Sequence, residues 1–402
     1  MLFKFPPGFL WGSSISSYQV EGGNIYSDWS FWEKENKLTP ANEACRHYSL
    51  YPADFSLASD LGHNSLRLSL EWARICPEEG AFSQKEIRHY SDVIKELRNR
   101  GLAPILTLHH FTNPIWFSKK GGWLTSKSID YFLAYVRKAG ELFKSQVNYW
   151  IVFNEPVVYI YNGFIKGLWP PGYKCFKKAE TALKNITKSY ILAYKELKRI
   201  CGRDDCKISI AKHIRIFSPC PHYNLGQNSP PCYLRNKIFN YSLIEMLLKA
   251  GTLDFLSLNY YCKEYDKFNF SLFGKECKEN HHRERKNTLG WYIYPQGLYE
   301  ILMRLKSYQL PIMITENGTS ESEDKLYEDF LFKHLKAVAL ALKQGVKVTG
   351  YMWWSLLDNF EWDKGFSPRF GLLKVNYNDF KREIKPFSLF YKRICQNNGI
   401  DI

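Results

Sequence analysis

Tyr149-Trp150-Ile151-Val152-Phe153-Asn154-Glu155-Pro156 is an apolar and aromatic run that passes directly into an amide, a carboxylate and a proline. Its aromatic and β-branched content and its short length read as a strand buried on both faces. Pro156 removes a backbone donor and ends the ladder, so Asn154 and Glu155 fall at the strand's C-terminal lip. A second run, Leu310-Pro311-Ile312-Met313-Ile314-Thr315, delivers Glu316, Asn317 and Gly318 in the same way. Where strands alternate with helices in a closed barrel, that lip carries the chemistry.

Outward from these two strands, the chain alternates regularly. Residues 9–14 read as a first strand leading into a polar turn over 17–23, which contains Gln19. A helix over 53–61 stops at Gly62. Residues 65–72 alternate polar and apolar as a strand, with Arg67 in its interior, where a guanidinium requires a nearby carboxylate. Ser83-Gln84-Lys85-Glu86 is a capping box; Ile87, Tyr90, Ile94 and Leu97 follow at helical spacing, and Gly101 closes the helix. Residues 104–108 form a strand ending in His109-His110-Phe111, and 207–211 and 253–258 form two more, the latter presenting Asn259, Tyr260 and Tyr261. The last strand, 346–354, ends at Trp354. Helices are expected over 126–145, 180–200, 237–250, 295–307, 325–344 and 386–396, and a long polar, solvated insert over 262–290. Eight strands alternating with helices, without a linker, predict an α/β fold: a single (β/α)8 barrel spanning 1–402.

Aromatic residues make up 16% of the chain, enough for a large core and for stacking against flat, weakly polar ligands such as sugars. The net charge of +15 reads as a solvated Lys-rich surface, because Lys and Arg are interleaved with Asp and Glu. No nucleic-acid module appears, and no apolar stretch reaches the length of a membrane span. The 10 Cys are scattered and read as reduced thiols. Cys262, Cys277, His281 and His282 share one loop, but their spacings fit no familiar zinc pattern, so no metal is expected. The N-terminus has no apolar signal core, and the expected location is the cytoplasm.

The strand ends supply Gln19, Arg67, His110, Asn154, Glu155, Asn259, Tyr261, Glu316, Trp354, Glu361 and Trp362 to one mouth. Two glutamates, an aromatic floor and neutral hydrogen-bonding groups are what glycoside cleavage requires: one carboxyl protonates the leaving oxygen, and the other attacks the anomeric carbon or activates water. The chain resembles glycoside hydrolase family 1, the β-glucosidase and β-glycosidase family. The resemblance rests on FLWGSSISSYQVEGG from Phe9, RLSLEWARI from Arg67, TLHHF from Thr107, FNEP from Phe153, NYY from Asn259, ITENG from Ile314 and WSLLDNFEW from Trp354.

The resemblance implies Glu155 as general acid/base and Glu316 as nucleophile of a retaining double displacement, with no cofactor. It implies that Asn154 meets the sugar 2-hydroxyl and that Arg67, Tyr261 and Asn259 support the nucleophile. Gln19, His110, Glu361 and Trp362 would read the other hydroxyls. Trp354 would form the stacking floor, and Phe370 would line the pocket near the terminal hydroxymethyl. Phe111 and Thr112-Asn113-Pro114 depart from the family pattern after the third strand. The expected partners are small β-glycosides, preferably glucosides with some galactoside and fucoside breadth. The alternatives are a 6-phospho-β-glycosidase, a glycan-binding protein on an inactive scaffold, and a nucleic-acid or membrane-surface partner drawn by the +15 charge. The expected charge pattern is an ionised, low-pKa Glu316 and a protonated, high-pKa Glu155.

Overall fold

Eight parallel strands close on themselves in chain order. They are β1 (Leu10–Ser14), β2 (Ser65–Ser69), β3 (Ala103–His109), β4 (Tyr149–Asn154), β5 (Lys207–His213), β6 (Leu256–Tyr260), β7 (Ile312–Asn317) and β8 (Val348–Trp354). The structure, a computed structural model, describes residues 2–220, 230–267, 275–277 and 284–402. Helices join the strands, the longest being Lys127–Phe143, Phe176–Cys201 and Asp324–Lys343. The expected barrel is therefore the observed one.

Side-chain alternation explains its two cores. Ile105, Ile151, Ala211, Met313 and Met352, one from each of five strands, fill the barrel interior with Phe255. Leu106, Trp150, Val152, Ile208 and Ile314 point the other way and pack against the helices. Near the lip of β4 the phase changes. Ile151 pairs with Ser209 of β5, but Asn154 pairs with Ala211, so β4 holds one extra residue. β7 does the same against β6: Ile314 pairs with Leu258 and Glu316 with Asn259. A bulge re-aims the residues beyond it. These two turn Asn154 and Glu316 into the mouth.

Several local expectations change. Residues 17–21 form a short buried helix, Ser17–Glu21, rather than a polar turn, because Ser16, Ser69 and Glu71 satisfy its polar groups. β2 ends at Ser69, and Trp72–Ile75 is already helical, N-capped by the Glu71 side chain. β5 runs two residues past Ala211, since Lys212 and His213 pair with Leu258 and Asn259.

The 262–290 stretch is more than a solvated loop. Lys263–Lys267 pairs in parallel with Ile216–Pro219 and antiparallel with Lys275–Glu276. Cys220 and Cys277 form a disulfide across this small sheet, so the expectation of ten reduced thiols does not hold. Sequence spacing could not foresee the pairing, because the two cysteines are 57 residues apart. His281 and His282 lie outside the described residues. No described helix is long and apolar enough to cross a membrane.

Candidate active site

A cavity of about 920 Å³ opens at the C-terminal ends of the barrel strands. Gln19, His110, Asn154, Glu155, Tyr261, Glu316, Trp354, Glu361, Trp362 and Phe370 all line it. Arg67 and Asn259 lie just beneath, buried in the barrel.

Glu316 extends β7 into the mouth. Arg67 Nη1 donates to its Oε1, and Tyr261 Oη donates to its Oε2 at 2.5 Å. Arg67 is the guanidinium in a strand interior that required a carboxylate, and Glu316 is that carboxylate. Its Nη2 also donates to Asn154 Oδ1 at 2.7 Å. Asn259 Nδ2 donates to Asn154 Oδ1 at 3.1 Å and to Glu155 Oε1 at 2.6 Å. Thr315 Oγ1 fixes the other end of Asn259 at 2.7 Å. One hydrogen-bonded sheet of side chains thus joins β2, β4, β6 and β7 and holds both glutamates.

Glu155 takes a left-handed backbone conformation with φ 44°, which is uncommon for a residue with a side chain. The turn is anchored because its N–H donates to Ala211 O at 2.8 Å. Pro156 then starts the helix Pro156–Ile160.

The floor is aromatic. The His110 ring lies nearly parallel to Trp354 (6.0 Å) and Trp362 (6.2 Å). Asn154 Nδ2 donates to His110 Nε2 at 3.2 Å. His109, by contrast, faces the helices and bonds Asn113. Trp353 is likewise core, donating to Phe370 O at 2.8 Å. Gln19 Nε2 donates to Asn359 Oδ1, Phe360 O and, at 3.3 Å, Glu361 Oε2.

Charge in the mouth differs from the sequence expectation. Burial raises Glu316, and the neighbouring Glu155 charge adds to this, so it stands at about 7 despite Arg67 and Tyr261. Burial also opposes ionisation of Glu155, but His213, Asn259 and Lys212 outweigh it and hold Glu155 below its ordinary value. The expected high value on Glu155 is reversed by Lys212 and His213, which the extension of β5 brings alongside. Burial and the charges of Glu316, Asp363 and Glu155 lift Glu361 to about 8. The wall contains two further residues with no sequence signal: Trp291, just after the polar insert, packs beside Tyr261 and Phe370, and Trp169 contacts Phe111 and Trp362.

The family model for glycosyl hydrolase family 1 matches residues 2–228 and 235–400. The chain belongs to that family. β-Glucosidase A of Thermotoga maritima is 32% identical, with 99% of each chain covered. The solved β-glycosidase from Pyrococcus horikoshii is 34% identical and superposes with a TM-score of 0.93, covering 100% of this chain and 97% of that one. The 6-phospho-β-glucosidase GmuD of Bacillus subtilis is 28% identical over 99% of this chain and 96% of its own. The protein is thus a glycoside hydrolase, a family 1 β-glycosidase. Relatives with different sugar preferences share its whole length.

Proposed function

We infer that this glycosidase removes one terminal sugar from small β-linked glycosides with retention, preferring glucosides and accepting galactosides and fucosides. The whole chain acts as one barrel domain. The observation that carries the reading is the different setting of the two glutamates. Glu316 is gripped at both oxygens by Arg67 and Tyr261, while Glu155 has a neutral amide donor at one oxygen.

In this reading a Glu316 oxygen attacks the anomeric carbon as the Glu155 proton passes to the glycosidic oxygen, and the bond to the leaving group breaks. Arg67 and Tyr261 orient the attacking carboxylate. Glu155, now ionised, takes a proton from water, the water oxygen attacks the same carbon, and Glu316 leaves. Asn154, fixed between Arg67, Asn259 and His110, meets the 2-hydroxyl. Gln19, His110, Glu361 and Trp362 bind the other hydroxyls, Trp354 stacks beneath the ring, and Phe370 flanks the hydroxymethyl.

A 6-phosphate would add negative charge to a mouth that already holds Glu155, Glu316 and Glu361. Burial first, and then the charges of Glu316, Asp363 and Glu155, lift Glu361 to about 8, so this mouth already disfavours added negative charge. Three cations along the wall are already committed, Arg215 to Glu264, Arg235 to Glu264 and Asp266, and Lys263 to Glu284, while Lys166 and Lys286 line it over the rings of Tyr161 and Tyr292. These features favour a neutral sugar.

Rates on nitrophenyl β-glucoside, β-galactoside, β-fucoside and β-6-phosphoglucoside, for wild type and Glu361→Gln, test this. The glucoside should lead in wild type. The substitution should lower its kcat/KM by about 2–4 kcal/mol in transition-state binding. A faster phosphoglucoside, or a mutant within about twofold of wild type on the glucoside, would overturn the specificity reading.

A further inference from the structure

Strand β5 ends in a basic pair, Lys212-His213, that the steps above leave unused. Both side chains are buried. The His213 ring lies against Tyr261, nearly parallel at 5.8 Å. Its Nδ1 stands 3.6 Å from Glu155 Oε1, within electrostatic reach but too long for a formed hydrogen bond. Its other nitrogen is spoken for, because Arg215 Nε donates to Nε2 at 3.0 Å. An arginine N–H can only donate, so Nε2 must accept, and the ring proton of the neutral imidazole must lie on Nδ1. Arg215 is itself held, with Nη1 on Glu264 Oε2 at 2.6 Å, and Arg235 braces the other Glu264 oxygen at 3.0 Å. A chain of fixed donors therefore runs from the small sheet through Arg215 and His213 and ends with an N–H aimed at Glu155.

We propose that His213 is a positioning residue for Glu155: Arg215 locks it in the Nδ1–H tautomer, and this N–H favours the ionised, base-competent form of Glu155 in the second half of the reaction. The proposal rests on Glu155 being the acid/base. In the glycosyl-enzyme the Glu316 charge is gone, and Glu155 must be a carboxylate to take a proton from water. An N–H directed at Glu155 stabilises that form. The imidazole supplies this as a neutral donor, since burial, with Arg215 and Lys212 adding to it, holds His213 below its ordinary value. Lys212 Nζ is turned back onto His213 O at 2.5 Å, and burial lowers it to about 7. Among the described residues, the other charged or titratable groups around Glu155 are Arg215 after β5, Tyr261 after β6, Glu316 on β7 and Glu361 after β8, with His110 after β3 on the same cavity wall and Arg67 on β2 bound to the neighbouring Asn154.

Two measurements test the proposal. Nitrogen-15 NMR of the wild-type enzyme reads the tautomer of His213, assigned by its loss in His213→Gln. Nδ1 should carry the proton, and a proton on Nε2 would overturn the proposal. The second is the pH dependence of kcat on a dinitrophenyl β-glucoside, with a pre-steady-state burst showing that breakdown of the glycosyl-enzyme limits turnover. Its acid limb then reports Glu155 alone. His213→Phe should move that limb up by roughly half a pH unit or more, and His213→Gln, which restores an N–H, should recover part of the shift. An unmoved limb in a folded His213→Phe enzyme would dismiss the role of His213 while leaving the acid/base reading intact. That reading fails on a separate result: a Glu155→Ala enzyme that keeps the same acid limb.

Discussion

Glu155 and Glu316 hold one proton between them near neutral pH, because two carboxylates joined through Asn154, Asn259 and Arg67 cannot both ionise easily in a buried mouth. In the free enzyme that proton rests mainly on Glu316, and the pair begins the reaction once the proton has passed to Glu155 and left Glu316 ionised. The singly protonated pair appears as the lower transition is passed and disappears as the second proton leaves at about 7. The account predicts a bell in kcat/KM with its alkaline limb near that value and its acid limb below the ordinary 4.5 of a glutamate. Glu316→Gln removes one member of the pair, so carbon-13 titration of labelled glutamate should lose the transition near 7 and keep one low transition for Glu155. A transition near 7 that survives in that mutant would show that it does not belong to Glu316. At this scale the lip residues were legible, since an amide or carboxylate directly after a buried apolar run has few places to go but the mouth. His213 was not. Residues 207–211 already complete a strand pattern, and only pairing with β6 carries the strand on to His213.

The extra residue near the end of β4 and of β7 places each glutamate. Apolar runs reveal such strands through their short length, their β-branched and aromatic content and the turn residues that bound them. They do not reveal bulges, which depend on register against a neighbour. The strand Lys263–Lys267 has no strand signature in the sequence for a related reason. Its sequence is polar, and its stability comes from partners distant in the chain: Arg215 on Glu264 and Arg235 on Asp266. Close backbone approach at the lip provides a test. A Cβ on Gly318, just after β7, would lie 2.0 Å from Trp354 O, so Gly318→Ala must push β7 and β8 apart. This should cost about 1–3 kcal/mol of stability and raise KM by tilting the Trp354 floor. Thermal unfolding and steady-state kinetics check both. Unchanged values would mean that the packing of the two strand ends does not set the floor.

Buried ionisable groups throughout the molecule set how its stability responds to pH. Burial raises Asp28 to about 6, and Glu33, Glu71 and Glu316 to about 7. Each keeps a proton in the fold that the unfolded chain has released, so each contributes stability that is lost as pH rises through its folded value. Burial lowers His63 and His334 to about 3, and His89 and His109 to about 4. These stay neutral in the fold where the unfolded chain binds a proton, so their contribution is lost as pH falls below the ordinary 6.5. The two sets oppose each other between the ordinary values of 4.5 and 6.5, and the maximum in Tm should fall in that window. Lys212, at about 7, works against the carboxylates only above neutrality. A Tm that climbs steadily from pH 6.5 to about 8 would contradict this balance. The overall architecture was the most legible level, because eight buried strands alternating with helices leave few alternatives to a closed barrel. The disulfide and the small sheet beside the mouth were not, since both depend on contacts between distant segments. Above all of this stands the claim that one mouth holds a nucleophile on β7 and an acid/base on β4. The most direct test is to incubate the enzyme with a 2-deoxy-2-fluoro-β-glucoside carrying a dinitrophenyl leaving group and to read the intact mass and the labelled peptide. The expected result is inactivation with one fluorosugar per chain, bound to Glu316. A label on Glu155, or complete turnover without any covalent adduct, would contradict it.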